Sequence, residues 1–408
     1  MPALHCNRRQ FLMHTGAAGA ALLLPRAAAG QLVAPPATPK KVAAIVTVYH
    51  RYSHADNIVT RFMEGYSIIG KSYPPPCRVA SLFMDQKPET DIGTPLAKQW
   101  KIPVFRTIAD ALTLGGDRLA VDGVLLVAEQ GQYPTNERGQ ILYPRRKFFE
   151  EVVKVFRDSG RSVPVFVDKH LSWSWEDARW MYEQSKELGF PLMAGSSVPV
   201  THRHPDLRPP RATAWERALS VGYGHFEVYG FHTLEALQVM AERRPGGETG
   251  VKAVQCLQGK AAWEAAAGGK WDRGLLDAAL AKVPQRGKGK VEDEDADALL
   301  YLMEYRDGLQ AAAYVSPRHV REFAFAGKVK GRSEPLACWY ELPKPQRDHF
   351  SFLVQHVARM MTTGKPSYPV ERTLLTGGML SFLIESKATG NRRIETPQLA
   401  VKYEPPEV

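Results

Sequence analysis

Hydrophobic and polar positions alternate in blocks between residues 41 and 198. Short, almost continuously apolar runs, such as "VAAIVTV" (42–48) and "VPVFVD" (163–168), predict buried strands. Between them lie segments with apolar residues at helical spacing, such as "RRKFFEEVVKVFRDSG" (145–160). Fully apolar strands that alternate with helices are typical of a parallel sheet covered on both faces. We therefore predict a Rossmann-like, doubly wound parallel sheet at 41–198.

The pattern changes after Val198. The runs "ALLYLMEYRDGLQAAAYV" (298–315), "REFAFAGKV" (321–329) and "ACWYEL" (337–342) predict a mainly antiparallel sheet. The polar stretch "PQRGKGKVEDEDAD" (284–297) predicts a solvent-exposed loop. We expect a C-terminal α+β domain at 199–408. The predicted fold class is thus α/β, with a ligand cleft between two domains.

The first thirty residues differ from the rest of the chain. Arg8-Arg9 precede an apolar run from Ala17 to Leu24 and an A-x-A site at Ala27–Ala29. This layout predicts a twin-arginine signal peptide at 1–29, followed by a linker at 30–40. An amphipathic N-terminal helix is the alternative. The signal implies contact with the twin-arginine export machinery and a periplasmic or other extracytoplasmic location.

The composition is that of a globular protein large enough for two domains. Of the 408 residues, 44% are hydrophobic and 24% are charged. The formal charge is +10, but the basic residues are spread along the chain, which argues against nucleic acid as a partner. After the signal we find no apolar run long enough for a stable membrane span.

Lys169 stands at the carboxyl end of the strand "VPVFVD". Ligands bind at this edge of open α/β sheets, although for a lysine taken in isolation a solvated turn residue is the favoured interpretation. The surrounding residues resemble the glucose–fructose oxidoreductase/inositol dehydrogenase (Gfo/Idh/MocA) family. Asp168-Lys169-His170 stands in the place of that family's Glu-Lys-Pro motif. In "EVYGFHTLEALQVM" (227–240), His232 and Glu235 take the places of its histidine and aspartate.

The resemblance extends over essentially the whole chain after the signal. The segments "DIGTPLAKQWKIPVFRTIADAL" (91–112) and "VDGVLLVAEQG" (121–131), and the C-terminal part from Met360 to Arg392, also resemble the family. The resemblance implies an oxidoreductase that acts on a carbohydrate or polyol with NAD or NADP. It further implies that Lys169 and His232 are catalytic and share the proton of a sugar hydroxyl. Relatives commonly pair through the second domain, so a homo-oligomer is expected.

The first turn departs from the family pattern. Where a G-x-G-x-x-G turn would approach the pyrophosphate, this chain has Tyr49–His54, without any glycine. Side chains there obstruct that approach, which argues against ordinary dinucleotide binding. If a dinucleotide binds, we expect Arg51 and Ser53 to contact its phosphates. Asp85, after the second long strand, would then bind the adenine ribose.

Other ionisable and aromatic residues are candidates for the cleft. We expect His170, Trp173, His202 and Glu235 to bind the substrate. An exposed basic loop is an equally good interpretation of His202. For His232, a core histidine would be the favoured interpretation without the family resemblance. No metal site is predicted. His50, His54 and Glu129 are only weak candidates for one, since their residue types are right but their spacing indicates a turn.

Two other functions remain open from the sequence. One is a cofactor-independent or metal-assisted sugar lyase, epimerase or hydrolase that uses the ionisable residues of this sheet edge. The other is a non-catalytic sugar-binding protein. The ionisable groups at the strand ends favour an enzyme over a binding protein.

Overall fold

The computed structural model describes residues 39–75, 77–343 and 347–407. The predicted signal and most of the linker lie outside these ranges, so export remains a prediction. The described residues form sixteen strands: β1 (Lys41–Val46), β2 (Tyr66–Ile68), β3 (Lys71–Tyr73), β4 (Arg78–Met84), β5 (Val104–Phe105), β6 (Gly123–Val127), β7 (Val165–Asp168), β8 (Leu192–Gly195), β9 (Arg203–His204), β10 (Trp215–Tyr223), β11 (Val251–Gln258), β12 (Leu299–Tyr305), β13 (Gln310–Ser316), β14 (Phe323–Val329), β15 (Leu336–Tyr340) and β16 (Ile394–Glu395).

The helices alternate with strands in the first half of the chain and cluster in the second. In the same described ranges there are eleven α-helices: α1 (His54–Glu64), α2 (Gly93–Gln99), α3 (Ile108–Thr113), α4 (Arg145–Ser159), α5 (Trp175–Glu187), α6 (Val228–Ala241), α7 (Lys260–Ala267), α8 (Arg273–Leu280), α9 (Val291–Glu294), α10 (His349–Thr363) and α11 (Glu371–Ala388). None of the helices in the described part of the chain combines the length and apolar character needed to cross a bilayer.

The first sheet has the strand order β5-β4-β1-β6-β7-β8, and all its neighbouring strands pair in parallel. This is the doubly wound order: β4 and β5 lie on one side of β1, and β6, β7 and β8 lie on the other. The strands are apolar on both faces because helices cover both, and Val42–Val46 are fully buried. The predicted Rossmann-like sheet is confirmed.

The second sheet has eight strands within the described residues, in the order β16-β11-β12-β13-β10-β14-β15-β9. Only β10 and β13 pair in parallel there, so the prediction of a mainly antiparallel C-terminal sheet is confirmed. The prediction of a solvent-exposed loop at 284–297 is wrong in part. It contains the short helix α9, and Asp295 is fully buried because its carboxylate accepts hydrogen bonds from Tyr314 and Ser316.

The C-terminal helices return to the first sheet. Residues of α10, among them Leu353 and Val357, share a hydrophobic cluster with Val42 and Val46 of β1. Helix α11 packs on α5, where a side chain at Gly378 would collide with the ring of Trp175 at 2.7 Å. Contacts between α11 and the second sheet complete the packing, so α11 fixes α5 and the second sheet against each other.

Candidate active site

Three turns at the carboxyl edge of the first sheet adopt backbone conformations that L-residues rarely use. Tyr52, between β1 and α1, has φ 62°, Gln130 after β6 has φ 70°, and Lys169 after β7 has φ 64°. Left-handed non-glycine residues cost free energy and concentrate at functional sites. Because β1, β6 and β7 are adjacent, these residues mark one rim at the centre of the sheet.

The first turn satisfies its own hydrogen-bond donors. Ser53 is the N-cap of α1, and its hydroxyl accepts the backbone N–H of Asp56 at 3.2 Å. The N–H of Tyr52 donates to the Asp56 carboxylate at 2.7 Å, and the N–H of Ser53 donates to the carbonyl of His50 at 2.9 Å. Ser53, predicted to bind a phosphate, is a buried N-cap whose hydroxyl already accepts a hydrogen bond from the protein.

His54 closes the same turn onto two neighbouring strand ends. Its backbone N–H donates to the side-chain oxygen of Gln130 at 2.9 Å, and its Nδ1 lies 2.7 Å from Oδ2 of the fully buried Asp168. From the C-terminal part of the chain, Arg347 donates to the carbonyl of Tyr52 at 2.7 Å and lies over its ring. The turn is thus bonded to Gln130 and Asp168 of the first sheet's edge and to Arg347 from the C-terminal part of the chain.

These contacts test whether the turn fits the pyrophosphate of NAD or NADP. Such a turn needs free backbone N–H groups at a helix N-terminus and room for the phosphates. Here the N–H groups of Tyr52, Ser53, His54 and Asp56 already have acceptors, and the Asp56 carboxylate lies at the helix start. The N–H groups that a Rossmann turn would offer to a pyrophosphate are therefore already engaged within the protein at these four residues. Arg51 is exposed, and its guanidinium lies over the ring of Tyr52.

A buried charge cluster lies after β6. Glu129 pairs with the guanidinium of Arg145 and, at 3.3 Å, with the ammonium of Lys169. All three side chains are at most 4% exposed. Burial alone would raise the pKa of Glu129, but the charges of Lys169 and Arg145 outweigh it and hold this pKa at about 2. Glu129, a weak metal candidate from the sequence, is therefore the counter-ion of two buried cations.

Lys169 is fixed by its backbone as well as by Glu129. Its N–H and C=O exchange hydrogen bonds with Gly195 at 3.1 and 2.9 Å. Gly195 has φ 120°, and a side chain there would meet Glu235 Oε1 at 2.9 Å and Thr373 Oγ1 at 3.0 Å. Glycine is thus required at the end of β8 for both its conformation and this close approach. Because Lys169 pairs with Gly195, it also lies close to Ser196, the residue after Gly195.

Ser196 and Glu235 orient His232. The backbone N–H of Ser196 donates to Glu235 Oε1 at 2.9 Å, and its hydroxyl donates to the other carboxylate oxygen. Nδ1 of His232 lies 3.0 Å from the Ser196 hydroxyl and 3.2 Å from Glu235 Oε2. His232 and Glu235 lie one helical turn apart on α6, which explains why both point at the same strand end. Glu235, predicted to bind substrate, contacts Ser196 and His232 in the structure.

Burial shifts the pKa values of both His232 and Glu235. Burial lowers the pKa of His232 well below 6.5, and the positive charges of Lys169 and His54 act in the same direction. Burial raises the pKa of Glu235 to about 7, against the hydrogen bonds from Ser196. His232 is therefore neutral at neutral pH, and a neutral imidazole can accept a proton.

Three further residues, His170, Trp173 and His202, were predicted to bind the substrate. His170 is buried against the ring of Phe231, and neither of its ring nitrogens has a partner among the described residues. Trp173 is half-buried, and its carbonyl accepts a hydrogen bond from Gln140. His202 packs edge-on against Phe352 of α10 at a ring-centroid distance of 4.8 Å, and among the described residues it makes no hydrogen bond to the cluster.

Asp85 and His50 also lie outside the cluster. The Asp85 carboxylate accepts a hydrogen bond from Tyr133 at 2.7 Å, so a protein hydroxyl occupies one oxygen predicted to bind ribose. His50 contacts the carbonyl of Arg51 within its own turn. Among the described residues, no group of three or more His, Cys, Asp or Glu is arranged to hold a metal ion.

Several functional candidates were not singled out from the sequence. Arg145, Ser196 and Gln130 carried no readable signal, because each acts on a partner that is distant along the chain. Asp168 did carry one, since it replaces the glutamate of the family motif. Its partner His54 lies 114 positions away.

The fold is similar to that of solved structures that include an inositol dehydrogenase and a Gfo/Idh/MocA family oxidoreductase. Myo-inositol 2-dehydrogenase from Lactobacillus plantarum is 11% identical over 88% of this chain and 99% of its own, with a TM-score of 0.53. GenD2 from gentamicin A biosynthesis, in complex with NAD, is 15% identical over 91% and 99%, with a TM-score of 0.55. A Gfo/Idh/MocA family oxidoreductase from Vibrio cholerae is 13% identical over 86% and 98%, with a TM-score of 0.52.

Comparison by sequence gives no such match. No protein-family model matches the chain, and no curated protein matches it either. The similarity therefore lies in the fold. It extends over most of this chain and nearly the whole length of the solved structures. The chain has the two-domain fold of the Gfo/Idh/MocA oxidoreductases.

Proposed function

We propose that this protein is an enzyme that acts on a carbohydrate or polyol through acid–base chemistry at Lys169 and His232. One observation carries the proposal. His232 is held at Nδ1 by Ser196 and Glu235, while its Nε2 has no partner among the described residues and 12% of the side chain is exposed. A base oriented by a carboxylate, beside a buried lysine at the ligand-binding edge of the sheet, is a catalytic arrangement.

Each residue of the cluster has a distinct task in this proposal. Neutral His232 accepts a proton from the substrate at Nε2. The Glu235 carboxylate and the Ser196 hydroxyl at Nδ1 then stabilise the imidazolium that forms. Lys169 donates a hydrogen bond to a substrate oxygen and stabilises negative charge that develops there. Glu129 keeps that ammonium in place and compensates part of its charge.

The substrate class rests on the fold and on the sequence resemblance. Proteins of this fold include a myo-inositol 2-dehydrogenase and scyllo-inositol dehydrogenases. The half-buried Trp173, four positions after Lys169 in the chain, is a residue of the kind that packs on sugar rings. Both point to a ring-shaped polyhydroxylated molecule.

A nicotinamide-dependent oxidoreductase is the second candidate. The fold favours it, because GenD2 was solved in complex with NAD. In that case NAD or NADP would accept hydride while Lys169 and His232 handle the hydroxyl proton. We place it second because the backbone N–H groups of Tyr52, Ser53, His54 and Asp56 in the first turn already have acceptors within the protein.

Ligand-observed saturation-transfer NMR tests the substrate class. The probes are myo-inositol, D-glucose and D-glucuronate, added singly to the purified protein. We expect at least one probe to bind the wild type and to lose that binding in Lys169→Met. Lys154→Met removes a lysine that is 73% exposed on α4, and this control should bind like the wild type. If no probe binds, or if Lys169→Met binds equally well, the proposal is wrong.

A further inference from the structure

The first turn contains a second histidine with a buried carboxylate partner. Nδ1 of His54 lies 2.7 Å from Oδ2 of Asp168, whose side chain is fully buried. The imidazole is 15% exposed, and its Nε2 makes no hydrogen bond to a residue that the structure describes. Its ring also packs edge-on against Phe350 at 5.3 Å. Carboxylate, fixed imidazole and open Nε2 are the same three features that His232 shows.

The two histidines are positioned by neighbouring strand ends. Asp168 is the last residue of β7, and its backbone pairs with Gly195, the last residue of β8. Ser196, which contacts His232, follows directly. Adjacent strands lie about 4.8 Å apart, so the groups that orient the two imidazoles are neighbours at one rim. The effect of the His54 charge on the pKa of His232 agrees with this proximity.

A purely structural role explains the His54–Asp168 contact less well. The backbone N–H of His54 already bonds Gln130, and the Ser53 cap already fixes the start of α1. Burying a carboxylate such as that of Asp168 is costly unless it is paired and fully hydrogen-bonded. Its second oxygen, Oδ1, is buried without a partner among the described residues, so the site is not arranged merely to satisfy this carboxylate.

We propose that His54, oriented by Asp168, is a second acid–base residue that acts on the same substrate as His232. This inference rests on the function proposed above and deepens it. Two bases at one cleft allow a proton to leave one face of a carbon and to return on the other. The reaction class is epimerisation of a sugar or cyclitol at a C–H next to a carbonyl or carboxylate group.

The step balances without an oxidant or a cofactor. Neutral His232 takes the proton of the C–H bond, and the electron pair of that bond forms the carbon–carbon double bond of an enolate. The carbonyl oxygen gains the negative charge, and Lys169 is the buried cation available to stabilise it. Protonated His54 then gives its Nε2 proton to the opposite face. His232 ends protonated and His54 neutral, and exchange with water restores both.

Deuterium incorporation separates a two-base enzyme from other possibilities. The probes are D-glucuronate, D-fructose and 2-keto-myo-inositol in D2O, followed by ¹H NMR with and without protein. We expect the wild type to label at least one probe and to form its epimer. His54→Gln and His232→Gln should each lower epimer formation by about 10²-fold or more, while each still exchanges deuterium into one of the two epimers.

Controls distinguish catalysis from folding. His204→Gln changes an exposed histidine that also pairs with a carboxylate, Glu341, at the outer strand β9, and it should behave like the wild type. Imidazole added to His54→Gly should restore part of the epimerisation, which a structural role would not allow.

The outcomes separate this inference from the proposed function. Normal epimerisation by His54→Gln would overturn the role of His54 and leave His232 as the only base. Absence of label in every probe, although a polyol binds in a Lys169-dependent manner, would overturn proton transfer at carbon and leave the substrate class intact. Failure of every polyol to bind would instead overturn the proposed function itself.

Discussion

Replacing His232 with asparagine is expected to lower turnover by about 10²–10⁴-fold, the range supplied by a positioned general base. The amide can still bond Ser196 and Glu235, which hold Nδ1 of the histidine at 3.0 and 3.2 Å. The fold should therefore survive while proton transfer is lost. The measurement is the rate of product formation from whichever carbohydrate binds in the NMR screen.

The contrast between kcat and KM makes this result specific. A base that acts in the transition state changes kcat and kcat/KM together, whereas a residue that only binds substrate changes KM. We expect His232→Asn to lower kcat with little change in KM or in the melting temperature. A kcat within threefold of the wild type would show that His232 is not the base.

Replacing Glu129 with glutamine is expected to destabilise the protein by about 3–5 kcal/mol, the usual cost of removing one partner from a buried ion pair. Arg145 and Lys169 are 1% and 3% exposed, so both would lose their counter-ion without gaining water. Urea denaturation at pH 7 measures this loss. Glu183→Gln is the matched control, because its pair with Arg179 is about half exposed and should contribute less than about 1 kcal/mol.

The pH dependence of this difference follows from the pKa of Glu129. Lys169 and Arg145 hold that pKa at about 2, below the value of 4.5 expected for an unperturbed glutamate. The folded state therefore binds its proton later than the unfolded chain does, and the stabilisation by Glu129 is complete above pH 4.5. The gap between wild type and Glu129→Gln should shrink as the pH falls from 4.5 towards 2. A gap that does not change over this window would contradict the ion-pair assignment.

The sequence predicted the parts of the fold whose pattern is local. Each strand of the first sheet is a short apolar run between helical segments, so element type and order followed directly. Helix α6 could not be identified in this way. It is buried around most of its circumference, so it shows no apolar stripe to distinguish it from a strand. Strands β10 and β11 were missed as well.

The site was predictable only where a residue stands at a strand end. Lys169 follows β7 directly, and the edge of a doubly wound sheet is where ligands bind. The partners that decide its chemistry come from elsewhere. Asp168 meets His54 across 114 residues, and Ser196 meets His232 across 36. Spacing along one sequence does not encode such contacts, since they depend on which turns the sheet brings together.

We expect this fold to work here without a dinucleotide in its first turn. Isothermal titration of the purified protein with NAD⁺, NADH, NADP⁺ and NADPH tests it most directly, together with mass spectrometry of any molecule released on denaturation. We predict no released nucleotide and no binding up to millimolar cofactor, because His54, Asp56 and Ser53 occupy the turn. A stoichiometric bound nucleotide, or binding at micromolar concentration, would contradict the account and establish the oxidoreductase.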